Sequence, residues 1–146
     1  MGIYFYHEDV VLPEINIVAL VKVLKRAIRA NKFLVGEINY IFCSDEYLFE
    51  INVKFLKHDF YTDVITFDYT ADRVVSGDIY ISTERVLNNS ITFDQLYLDE
   101  LVRVISHGLL HLIGFNDKEA EEIREMRIQE SKIVSNFNFL VDLSVG

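Results

Sequence analysis

The chain has 146 residues, 51% of them hydrophobic and 25% charged, with a formal net charge of −9. That is the length and composition of a folded domain and excludes a disordered chain, while the acidity argues against nucleic-acid binding over the whole surface. The lone Cys43 excludes an internal disulfide, no apolar run approaches the ~18 residues that cross a bilayer, and the acidic N-terminus lacks the basic region of a signal peptide, so a cytoplasmic protein of one domain over 1–146 is expected.

Residues 2–6 are aromatic and weakly alternating and read as a short strand. Pro13 sits well for a helix N-terminus, and 14–31 has Ile17, Val21, Leu24 and Ile28 at helical spacing. Gly36 marks a break, and 37–43 is β-like, with Cys43 as a buried, inert thiol. Ser44 is an N-cap for a helix carrying Tyr47, Leu48, Ile51 and Phe55. Two strands follow, Asp63–Tyr69 and Gly77–Ser82, both rich in β-branched and aromatic residues; 83–88 adds a helical turn or two. Thr92-Phe93-Asp94-Gln95 matches a capping box and opens a helix to about Ile113, whose second half is apolar nearly all round and therefore central. Gly114 terminates it, and an amphipathic helix at about 118–134 follows. The sum is an α+β fold: one small mixed sheet of about four strands packed with helices.

The central helix ends in HGLLHLIGFND, His107 to Asp117. Positions i and i+4 share a helix face, so His107 and His111 stand side by side as two ligands of one zinc ion would, and after the reversal at Gly114 Asp117 can return as a third. Three protein ligands leave a fourth position open, as in catalytic zinc sites. Two readings stand at this point. The histidines are core residues bonded to carbonyls, with Gly108 there for close packing; or they are ligands. In favour of ligands, two polar rings in an apolar helix need partners, and the spacing His-x3-His-x2-Gly-x2-Asp has the metzincin layout, a zincin-like histidine helix. The zincin glutamate that acts as general base after the first histidine is replaced by Gly108, which speaks against a peptidase of that mechanism.

These residues resemble the YbeY family, bacterial zinc-dependent endoribonucleases of rRNA maturation. The family signature His-Gly-x-Leu-His-Leu-x-Gly-Tyr-Asp-His is matched by His107, Gly108, Leu110, His111, Leu112 and Gly114, with Phe115 for tyrosine. Thr62-Asp63-Val64-Ile65-Thr66-Phe67 resembles its Pro-Thr-Asp-Val-Leu-Ser-Phe, Gly77-Asp78-Ile79 its Gly-Asp-Ile strand, and Asn52 and Phe55 fall at its asparagine and tyrosine. Asp117 replaces the third histidine and Asn116 the aspartate before it, and Leu56 stands where the family has an arginine important for activity. The resemblance implies one Zn²⁺ per chain on His107, His111 and Asp117, with catalysis through the metal; Lys54, Lys57 or His58 would have to supply the missing cation, and Lys57 and His58 are carried as candidate catalytic residues. Asp63, Asp68 and Asp78 are either cleft carboxylates or turn and strand-end residues.

Lys22, Lys25, Arg26, Arg29 and Lys32 gather five of the 14 basic residues on about a third of one helix. They are either a solvated face or, on the resemblance, a docking surface for rRNA or the ribosomal small subunit, with no DNA or membrane partner expected. The acids of 119–130, Glu130 among them, read as an exposed helix with i, i+3/i+4 pairs to Arg124 and Arg127, and His7 as a surface residue. The tail 137–146 either packs on the sheet or covers a partner surface. The implied function is a single-strand-specific endoribonuclease in 16S rRNA 3′-end maturation and ribosome quality control. The alternatives are a non-catalytic ribosome-biogenesis factor with a structural zinc, or a metallohydrolase of another substrate.

Overall fold

The computed structural model describes residues 1–145, and side chains through residue 143. Elements run in the order β1 (Gly2–His7), α1 (Ile17–Ala30), β2 (Leu34–Cys43), α2 (Asp45–Leu56), β3 (Val64–Asp68), β4 (Val74–Ser82), α3 (Thr83–Thr92), α4 (Tyr97–Ile113) and α5 (Ala120–Val145). The four strands form one mixed sheet ordered β1-β2-β4-β3. The β1–β2 and β2–β4 pairs are parallel and β3 runs antiparallel to β4. The β3–β4 link is a tight hairpin in which Asp72 and Arg73 both take positive φ, as a two-residue type I′ turn requires. The α+β expectation is met.

Parity along the strands builds two cores. Ile3, Ile38, Tyr40, Phe42, Ile79 and Ile81 face α1, α4 and α5, whose Leu24, Ile28, Leu101, Ile105, Leu109 and Met126 complete the larger one. On the other face Cys43, Leu48 and Ile65 form a smaller core beneath α2, with Phe67 and Tyr80 beside them. The second half of α4 is apolar nearly all round because the helix is surrounded, packing on α1, α3, α5, β3 and β4. Among the described residues no helix is long and apolar enough to cross a membrane.

Several local expectations are corrected. The first helix starts at Ile17, not at Pro13; Asn16 caps it, accepting from the Ala19 amide at 3.0 Å. Its buried stripe is Leu20, Val23, Leu24 and Ile28, leaving Ile17 and Val21 half-exposed. Gly36 does not end a strand, since β2 runs through it with a register shift between Val35 and Ile38. The capping box at 92–95 does not form: Thr92 ends α3, Asp94 turns at φ 54°, and α4 begins after Leu96 with no side-chain cap. Asp99 and Glu100 in its first turn complement the helix dipole instead. The last helix continues through the tail rather than stopping near 134, and buries Phe137 in the larger core. Gly146 lies outside the described residues.

Candidate metal centre

His107 and His111 lie on the last turns of α4. Gly114 ends the helix at φ 112°, a conformation that only glycine adopts without strain, and its amide and that of Phe115 close on the Leu110 carbonyl at 3.1 and 3.0 Å. That reversal brings Asp117 back over the histidines. His107 Nε2 and His111 Nε2 are 3.0 Å apart, and Asp117 Oδ2 stands 3.3 Å from the first and 3.5 Å from the second. In a tetrahedron with metal–ligand bonds of about 2.0–2.1 Å, ligand atoms lie roughly 3.3 Å apart. The three donors therefore describe a triangle of the right size for one face of a tetrahedron, and all three residues line a cleft. Two neutral imidazoles and one carboxylate are a donor set that suits a divalent ion. The triangle of His107, His111 and Asp117 is compatible with a metal ion, as the ligand reading of the pair expects.

Gly108 serves the packing. A Cβ built there would lie 2.7 Å from Ile79 Cγ2 on β4. The position that carries the zincin glutamate thus faces the sheet, against Ile79, and has no room for a side chain.

One functional residue escaped the sequence reading. Glu130 of α5, read as an exposed helix acid, is 1% exposed, and its Oε2 lies 2.6 Å from His107 Nδ1. That hydrogen bond keeps the proton on Nδ1 and leaves Nε2 free to face the other two donors, the usual support for a metal-binding histidine. Arg103 Nη1 and Arg127 Nη1 donate to Oε1 at 3.2 and 3.3 Å, and Arg103 is itself forked onto the buried Glu100 at 2.9 and 2.5 Å. Burial by itself would raise the Glu130 carboxyl, but the bond from His107 and the Arg103 charge outweigh it and hold it below the ordinary glutamate value. The signal was present in the spacing: Glu130 falls on the same stripe as the buried Met126, Ile133 and Phe137, and a carboxylate in an apolar stripe needs a buried partner.

The metal triangle sits in a cleft of about 670 Å³ between α4, β3 and the end of α2. Asp63 and Asp68 line it, as do Leu56 and His58. Asp78 does not; it accepts from Asn39 at 3.0 Å. Lys57 forms the left-handed C-cap of α2 and is not among the lining residues, and Lys54 lies over the Phe55 ring, 5.4 Å from its centroid. The one lysine or arginine among the described lining residues is Lys118, which the sequence reading had passed over; its position next to Asp117 was the available signal. Asn52, 1% exposed, donates its amide to the Phe60 carbonyl at 2.9 Å and shapes the loop after α2.

Of the five basic residues assigned to one helix face, Lys22, Lys25, Arg26 and Arg29 line a shared groove on α1. Lys32 lies past the helix end in a left-handed turn, so the face carries four cations rather than five.

Residues 8–138 match the family model described as Endoribonuclease YbeY. The chain is 44% identical over 135 residues to Endoribonuclease YbeY of Parabacteroides distasonis, covering 92% of this chain and 95% of that one. It is 45% identical over 130 residues to the protein of the same name from Porphyromonas gingivalis, covering 89% and 86%. Among solved structures it resembles the solution structure of TM1509 from Thermotoga maritima, with a TM-score of 0.66, 27% identity, and coverage of 92% of this chain and 88% of that one. With the match spanning His107, His111 and Asp117, the cleft and strands β2 to β4 beneath it, the chain belongs to the YbeY family of endoribonucleases.

Proposed function

We propose that this protein is a zinc-dependent endoribonuclease of the cytoplasm that cuts single-stranded RNA in 16S rRNA 3′-end maturation and ribosome quality control. The observation that carries the reading is the three-donor triangle of His107, His111 and Asp117 in the lining of a cleft. A structural zinc is closed by four protein ligands, whereas an open fourth position belongs to catalysis. Bound there, zinc supplies Lewis acidity, either to activate water or to polarise a phosphoryl oxygen. The chain's own residues do the rest. Glu130 fixes the His107 tautomer, and Lys118 is the cation within the cleft for a scissile phosphate, in the place of the family arginine that is Leu56 here. His58, on the cleft wall, is a second candidate for that contact, and Lys57 a third from just outside it. The groove of Lys22, Lys25, Arg26 and Arg29 supports docking of rRNA or the small subunit, because phosphate contacts supply most non-specific affinity.

The test is cleavage of end-labelled single-stranded and hairpin RNA by zinc-loaded protein. His111→Ala is expected to abolish cutting with the far-ultraviolet circular dichroism unchanged, and Asp117→Ala to lower zinc content well below about one per chain. The second reading, a ribosome-biogenesis binding factor, is favoured by Leu56 in the cleft; RNA that binds the zinc-loaded wild type but is never cut would select it.

A further inference from the structure

The cleft above the metal triangle is poor in the charge that ordinarily holds RNA. Asp63, Asp68 and Asp117 line it against a single lysine, Lys118. Since phosphate neutralisation supplies most sequence-independent affinity, a strand held there needs another source of binding energy. One wall carries it. The His58 and Phe60 rings stack on each other with centroids 5.1 Å apart and planes at 19°, and both line the cleft. Phe60 is 54% exposed, so much of the ring surface is held out to solvent where its burial in the adjacent cores would have been favourable.

The pair is also held in place. The buried Asn52 accepts from the His58 amide on its carbonyl at 3.1 Å and donates its side-chain amide to the Phe60 carbonyl at 2.9 Å. Lys57, at φ 60°, makes the turn between helix and loop. The three-residue stretch that carries both rings is thus pinned at each end by one residue, through its backbone carbonyl and its side-chain amide, and little freedom is lost when something stacks on it.

We infer that the His58–Phe60 pair is a stacking platform for one unpaired RNA base beside the scissile phosphodiester, and that stacking, more than charge, selects single-stranded substrate. This rests on the reading of the cleft as the RNA-cutting site. A base within a duplex has both faces covered by its neighbours and must be flipped out before it can stack on protein, whereas an unpaired base offers a free face to an aromatic ring whatever its identity. The platform therefore predicts weak sequence preference and strong preference for unpaired RNA.

The chain contains no tryptophan, so Phe60→Trp installs a single fluorescent reporter on the platform, and the exposure of Phe60 makes its replacement harmless to folding. Short single-stranded RNA is expected to quench that tryptophan at the concentration at which it binds the wild type, and a blunt duplex of the same length to leave it bright. Phe60→Leu, which keeps apolar bulk but removes the ring, is expected to weaken single-strand binding roughly 5- to 150-fold, the range for losing one base–aromatic stack. The loss should appear in KM more than in kcat, with zinc content unchanged, and Phe60→Tyr should restore it. Unquenched tryptophan, or wild-type affinity in Phe60→Leu while the wild type cuts single strands, overturns the platform and leaves the nuclease reading standing. A wild type that neither binds nor cuts RNA overturns both.

Discussion

Replacing Glu130 by glutamine changes one oxygen to nitrogen at a fully buried position, and its consequences can be worked from the contacts. The native carboxylate accepts from His107 Nδ1 with one oxygen and from Arg103 and Arg127 with the other. Glutamine has one acceptor oxygen. If it faces His107, its NH₂ opposes two guanidinium groups; if it faces the arginines, its NH₂ opposes the Nδ1–H. Either way His107 loses its charged partner. Loss of such a partner lowers metal affinity typically 10- to 100-fold, or about 1.4–2.7 kcal/mol. Breaking a buried ion pair costs about 3–5 kcal/mol when a charge is stranded. Arg103 keeps its fork to Glu100 and Arg127 is solvent-exposed, so the stability loss here should fall below that range. The assay is zinc competition against a chromogenic chelator, with thermal melts in excess chelator to isolate the protein's own stability. Metal affinity within twofold of wild type, with a lowered melting temperature, would show that Glu130 merely pairs with Arg103 and that the assigned orientation of His107 is wrong.

Three further outcomes are expected. Gly108→Ala places a Cβ 2.7 Å from Ile79 Cγ2; overpacking costs about 1–3 kcal/mol against a helix-propensity gain of about 1, so a net loss of up to about 2 kcal/mol should appear in urea unfolding, and a more stable variant would refute the close approach. Burial and the nearby Asp9 and Glu8 push the Cys43 thiol up to about 12, which leaves roughly one thiolate in ten thousand at pH 8; iodoacetamide should label it only in denaturant, and stoichiometric labelling of folded protein within minutes would contradict the buried placement. Charge reversal of Lys22, Lys25, Arg26 and Arg29 to glutamate should weaken association with 16S rRNA uniformly across sequences and flatten its salt dependence, leaving zinc content intact; unchanged salt dependence would remove α1 from the interface.

The metal triangle was readable in the sequence because all of it is local. Two histidines four apart on one helix, a glycine that alone tolerates the left-handed turn, and an aspartate three residues later set their own geometry through helix pitch and backbone sterics, with no help from the rest of the chain. The strands and the apolar central helix were legible for the same reason, since period 2 and all-round apolarity report burial directly. The meeting of Glu130 with His107 was not, because it comes from another helix 23 residues on, and only the packing of α5 on α4 brings the two together. Helix starts failed where local chemistry competed: Asn16 out-competed Pro13, and a chain reversal at Asp94 pre-empted the capping box. The sheet order, with β3 turned antiparallel at the edge, and the arrival of His58 and Phe60 in the same cleft as His107 and His111 were likewise decided by tertiary structure. Each depends on contacts between segments far apart in the chain, and the free energy that selects among such contacts comes from shared burial, which no short stretch of sequence contains.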